Sequence, residues 1–251
     1  MRPPMTAAAD TIVRRLVADF ARAPEYPADA ADRRIVRIAG LDLPLRATVA
    51  IVVVTMAILL DYSRTFIPHS VQDIGRLAPA LRYQALERFV LFGIVPLVIV
   101  LVAFRDSPAR YGLRLGDWRR GVALIAVGCA VMAPVVLVLV TAAPDFRAYY
   151  RISSTGLGDL LITNTLDLVP TEFMIRGFLM FTLVRAIGPV GVLVATLPFV
   201  FSHLGKPEIE VFSTLFGGLV YGWLDWRTES IAWSAIAHVC IVTLLLFVAG
   251  S

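Results

Sequence analysis

Residues 121–144 read GVALIAVGCAVMAPVVLVLVTAAP, twenty-four positions without a charge. The hydrocarbon core of a bilayer is crossed by about 20 consecutive apolar residues in a helix, so this stretch reads as a spanning helix. Further uncharged runs lie at 47–60, 89–104, 186–202, 211–224 and 230–251. The shorter ones span if their flanking polar residues snorkel toward the headgroups, as Arg46, Asp61 and Tyr62 do around the first run. Across all 251 residues, 58% are hydrophobic and 17% charged, against about 25% charged in a soluble domain. That composition excludes an ordinary water-soluble enzyme and a disordered chain, and Cys129 and Cys240 alone make no disulfide framework. The expected fold class is all-α: a polytopic integral membrane bundle of about six to eight helices enclosing a polar cavity.

Residues 1–46 are expected to form an extramembrane extension and residues 47–251 the transmembrane helical domain. The extension holds eight arginines, and Ile12, Val13, Leu16, Val17 and Phe20 recur near helical spacing, as in an interfacial helix or a solvated surface one. It does not read as a signal peptide. The formal charge of +4 points to anionic headgroups rather than nucleic acid, because the basic residues flank apolar runs. With seven spans and a cytoplasmic N-terminus, fifteen basic residues fall inside and seven outside. The positive-inside rule favours that orientation, in a cell (inner) membrane.

Between residues 159 and 185 the apolar pattern is interrupted by Asn164, Asp167, Glu172 and Arg176. This region is expected in the membrane as one span, with a break into two helical pieces at Pro170. Ionisable groups at membrane depth cost at least about 2.5–3.5 kcal/mol each on insertion scales, so a polar set spread over several spans needs a reason. Glu172 and Arg176 stand four apart with the acid first, the favourable order for an ion pair on one helix face. Taken alone, that pair reads as scaffolding, and Asp167 reads as part of a polar seam. His203 lies where an apolar run meets Gly205-Lys206-Pro207, a helix-end position, whereas His238 sits in an otherwise uncharged span and requires a partner. His69 lies in the loop after the first span and reads as a surface residue. One carboxylate and two imidazoles from separate helices can activate a water, bind a metal or relay protons. Neither an HExxH pair nor a GxSxG elbow is present, and no cofactor or metal is expected.

The string Thr171-Glu172-Phe173-Met174-Ile175-Arg176-Gly177, then Phe199-Val200-Phe201-Ser202-His203, then His238 in the last apolar helix, resembles the three motifs of the CPBP family. These are the CAAX prenyl endopeptidases and bacteriocin-processing intramembrane proteases. Gly205-Lys206-Pro207, Phe216-Gly217-Gly218-Leu219, Trp226-Arg227-Thr228 and Ser230-Ile231 add to the likeness, which covers about residues 155–246. The resemblance implies a helical membrane endopeptidase acting on a membrane-anchored or peptide substrate. Glu172 would be the base, His203 its partner on the water, His238 an oxyanion donor and Arg176 the residue that orients the glutamate. Thr171 stands where the family's first motif has another glutamate, and Val242 where the third has asparagine, with Thr243 and Asn164 as nearby substitutes. Two other readings remain: a catalytically impaired membrane binding or scaffold protein on the same fold, and a small proton-coupled transporter.

Overall fold

The computed structural model describes residue 26 and residues 28–64, 66, 78–151 and 156–251. The amphipathic stretch 12–20 and His69 lie outside the described residues. Within the extension the sequence pattern had suggested no strand, yet residues 35–44 form an antiparallel hairpin, β1 (Ile35–Ile38) and β2 (Leu41–Pro44). Ile35, Val36, Ile38, Leu41 and Leu43 favour extended backbone. Ala39 and Gly40, both at positive φ, close the two-residue turn that such a hairpin needs.

The other elements among the described residues are helices. After α1 (Leu45–Tyr62) comes α2, a continuous run over 78–103 that alternates α-helical turns (Ala78–Arg88, Val95–Val98) with wider π turns (Phe89–Ile94, Ile99–Ala103). A 3₁₀ turn (Pro108–Tyr111) leads to α3 (Trp118–Ala142) and the short α4 (Pro144–Tyr150). The helix α5 covers 157–187, α-helical at Leu157–Glu172 and Phe181–Ile187 and π-wound at Phe173–Met180. The chain ends with α6 (Val190–Phe201), α7 (Glu208–Thr228) and α8 (Ala232–Gly250). Four of these segments, Leu45–Tyr62, Pro79–Ala103, Trp118–Ala142 and Ala232–Gly250, are long and apolar enough to cross a bilayer. The protein is an all-α integral membrane bundle.

Burial sorts the helices. In α3 only 6% of the apolar window is covered by protein, and Val122, Val127, Val131 and Val138 are exposed, a face suited to lipid. By contrast, residues 173–185 of α5 are buried on every side, Arg176, Thr182 and Arg185 included. Phe178, Phe181, Met174 and Met180 form the centre of the larger core cluster.

The break expected at Pro170 is absent. The helix passes through Pro170, and the register change appears three residues later as the π turns starting at Phe173. Pro170 lacks the N–H that would close the preceding turn, and wider π turns are one way a long helix absorbs such a defect. At Gly177, within those turns, a Cβ would lie 2.6 Å from the Phe173 ring and 2.7 Å from the Tyr111 carbonyl oxygen. Only glycine allows the 3₁₀ turn to sit that close.

Candidate active site

The end of the α-helical part of α5, the middle of α8 and the segment just past α6 converge. Glu172 is fully buried, and its Oε1 accepts a hydrogen bond from Nδ1 of His238 at 2.6 Å. Its Oε2 lies 2.9 Å from Nη1 of Arg176, one turn along the same helix. The Arg176 guanidinium, itself 1% exposed, stacks on the ring of Phe199 at 4.1 Å and lies 5.6 Å from that of Tyr221. Two buried charges are thus compensated by each other and by two aromatic faces.

The two imidazoles share a neighbour. The ring of Phe199 meets His203 edge-on at 4.6 Å and His238 at 6.0 Å. His203 bonds through Nδ1 to the Phe199 carbonyl oxygen at 2.7 Å. A carbonyl only accepts, so Nδ1 carries the hydrogen and Nε2 carries the lone pair. In His238 the carboxylate of Glu172 fixes Nδ1 in the same way, leaving Nε2 as the other functional nitrogen. Both rings line a cavity of about 360 Å³.

The sequence-derived residues occupy different places around that cavity. His203 and His238 line it, as do Thr171, Asn164 and Asp167, whereas Glu172 and Arg176 lie behind its wall. Thr171 turns its hydroxyl onto the Asp167 carbonyl at 2.8 Å. Val242 lines the cavity with no polar atom to offer, while Asn164 reaches across to Thr243, its Nδ2 donating to Oγ1 at 2.9 Å. Asp167 belongs to an ion triple: Arg88 holds Asp61 through two hydrogen bonds of 2.8 Å and Asp167 at 3.0 Å.

Several partners had drawn no attention in the sequence. Tyr221 packs 5.6 Å from the His238 ring. Asp225, fully buried, accepts from the hydroxyl of Ser234 at 2.6 Å and from its backbone N–H at 3.3 Å, one turn before His238. Glu210 lines the cavity near His203. The acid that directly ends the uncharged 211–224 run was the available signal for Asp225. Glu210 resembled any acid in the first turn of a helix. Among the described residues no group of three or more His, Cys, Asp or Glu gathers as a metal site.

Residues 153–244 match the family model described as type II CAAX prenyl endopeptidase, Rce1-like. This segment is similar to the CPBP proteases. The matched stretch begins just before α5 and ends within α8, so it contains Glu172, Arg176, His203 and His238, while Asp61, Arg88 and Phe92 of the same cavity lie before it. No curated protein and no solved structure matches the chain. The four apolar spans make this an integral membrane protein, and its C-terminal part is similar to a family of membrane proteases.

Proposed function

We propose that the protein is an intramembrane endopeptidase whose reacting water is held at the cavity wall formed by His203 and His238. The observation that carries this reading is the pair of imidazoles on one cavity, each with Nδ1 already fixed and Nε2 left for chemistry. His203 Nε2 takes a proton from the water as its oxygen attacks the peptide carbonyl carbon. The carbonyl electron pair moves onto oxygen, and His238 in its protonated form, seated on the Glu172 carboxylate, donates to that oxyanion. Collapse restores the carbonyl and breaks the C–N bond. His203 returns its proton to the leaving nitrogen, giving an amine and a carboxylic acid, which then passes its remaining proton to the amine. Glu172 therefore works through His238 as a positioning residue, because its own oxygens do not reach the cavity, and Arg176 holds Glu172. One well-placed oxyanion donor contributes about a hundred- to a thousand-fold in rate.

A holding protein on the same fold is the competing reading, favoured by Thr171 lining the cavity where a carboxylate would otherwise face the water. The test uses purified protein in proteoliposomes with a library of membrane-anchored fluorogenic peptides. Hydrolysis predicts cleavage by wild type and its loss in Glu172→Gln and His203→Ala. Cleavage that persists in both variants contradicts these roles.

A further inference from the structure

Three carboxylates line the cavity among the described residues: Asp61, Asp167 and Glu210. The first two are committed to Arg88 through short hydrogen bonds. Glu210 differs. Its Oε1 lies 4.0 Å from Nε2 of His203 and accepts from Lys206 Nζ at 2.8 Å.

The 4.0 Å gap is itself informative. It is too long for a direct hydrogen bond, and Nε2 carries no hydrogen to give while Nδ1 donates to Phe199. Two acceptors at this separation are matched by one water lying about 2.8 Å from each, with one hydrogen turned to either side. The water's lone pairs then face away from both, into the cavity. A carboxylate oxygen has two lone pairs, so Oε1 can accept from this water and from Lys206 together. Glu210 also sits in the first turn of the 21-residue α7, where the positive end of the helix dipole favours a negative charge. Lys206 does the same from one turn earlier in sequence.

We infer that Glu210 is a catalytic residue of the hydrolytic site, the carboxylate that together with His203 Nε2 holds and orients the attacking water. This deepens the endopeptidase reading and rests on it. In the step, one hydrogen of the water is held by Glu210 Oε1 and the other passes to His203 Nε2 as the C–O bond forms. Glu210 remains a carboxylate throughout and lies beside the imidazolium that His203 becomes. The proton on His203 then goes to the leaving nitrogen as the C–N bond breaks. The charges facing His203 from the surrounding elements are Lys206 beside it, Arg88 on α2, Glu210 on α7 and His238 on α8. Asp61 and Asp167 line the same cavity but are held by Arg88.

The experiment has two arms, both on full-length protein in lipid. In the first, Glu210→Gln is compared with wild type on the anchored peptide library. The expected loss in kcat is about a hundredfold or more, with KM nearly unchanged. Glu210→Asp keeps the charge but shortens the reach, and retains an intermediate rate. Glu208→Gln, on the exposed face of the same turn, leaves the rate alone. In the second arm, ¹⁵N-histidine-labelled protein is examined by nuclear magnetic resonance, with His203 assigned by substitution. Glu210→Gln is expected to move the Nε2 resonance of His203, and Glu208→Gln is not. A Glu210→Gln rate close to wild type, or an unmoved His203 resonance in a folded variant, overturns the inference while leaving the endopeptidase reading in place. Should wild type cleave no peptide, that reading falls and the catalytic role of Glu210 with it, and the resonance arm then reports only whether Glu210 acts on His203 Nε2.

Discussion

The 2.6 Å bond between His238 Nδ1 and Glu172 Oε1 joins α8 to α5 at a point from which water is excluded. The same carboxylate also neutralises Arg176, so it is at once a structural counter-ion and the support of an imidazole. These roles separate in mutants. Removing one member of a buried pair leaves an uncompensated charge and costs about 3–5 kcal/mol. Glu172→Gln is therefore expected to unfold at a clearly lower temperature than wild type. The double variant Glu172→Gln/Arg176→Met should regain most of that stability and none of the cleavage. Thermal unfolding in detergent beside a cleavage assay checks both halves.

A second charged network lies at the ends of the spans. Arg46, Arg110 and Arg185 surround Asp32, with Asp29 and Asp106 at the edge of the group. Burial by itself raises the Asp32 carboxyl, but the hydrogen bond from Arg46 and the charges of Arg185 and Arg110 win, holding it down to about 2 against an ordinary 3.8. A carboxyl depressed in the folded state stabilises above its unfolded value, and that contribution is lost as pH falls through the folded one. Wild type should thus lose stability between about pH 4 and pH 2. Asp32→Asn should be less stable at neutral pH and show a flatter acid limb. Unfolding temperature measured against pH in detergent gives the comparison.

The same network places one end of α1 with the 105–120 segment and with the end of α5, on one face of the bundle. The cavity takes in Asp61, Tyr62 and Arg64 at the other end of α1. With a cytoplasmic N-terminus, as the arginine distribution favours, the cavity opens toward the outer face. In a background lacking Cys129 and Cys240, a membrane-impermeant maleimide applied to intact cells should label Tyr62→Cys. Arg37→Cys should react only after permeabilisation. The reverse pattern would invert the orientation.

Close approach of helices to the site gives a further prediction. A Cβ at Gly121 of α3 would fall 2.3 Å from the indole of Trp233 on α8, five residues before His238. Gly121→Ala must push α8 outward or turn the indole, at a cost of about 1–3 kcal/mol. Because α8 carries His238, cleavage should fall more than the loss of stability alone explains. Gly128→Ala, whose Cβ would meet nothing within 4 Å, should change neither.

Sequence patterns exposed the membrane helices because hydrocarbon imposes a simple demand on every residue of a span. The uncharged 121–144 run corresponds to α3, and the interrupted apolar region 159–185 falls within α5. The proximity of Glu172 to Arg176 followed from helical spacing alone. What spacing could not provide was the side of the wall on which each group lies. Thr171 and Glu172 are adjacent, yet the first lines the cavity and the second lies behind it, a difference set by the packing of α8 against α5. The hairpin at 35–44 was obscured by the arginines around it, although its alternating Ile, Val and Leu are visible once the turn is placed at Ala39-Gly40. Asp225 with Ser234, and Glu210 with His203, pair residues from different helices or turns. No single-helix periodicity contains such pairs.

The most direct measurement is the rate at which wild type and His238→Ala protein, reconstituted in proteoliposomes, cleave the anchored peptide library, with products read by mass spectrometry. The account predicts defined peptide fragments from wild type and a rate at least about a hundredfold lower from the variant. Cleavage by His238→Ala at the wild-type rate would contradict it.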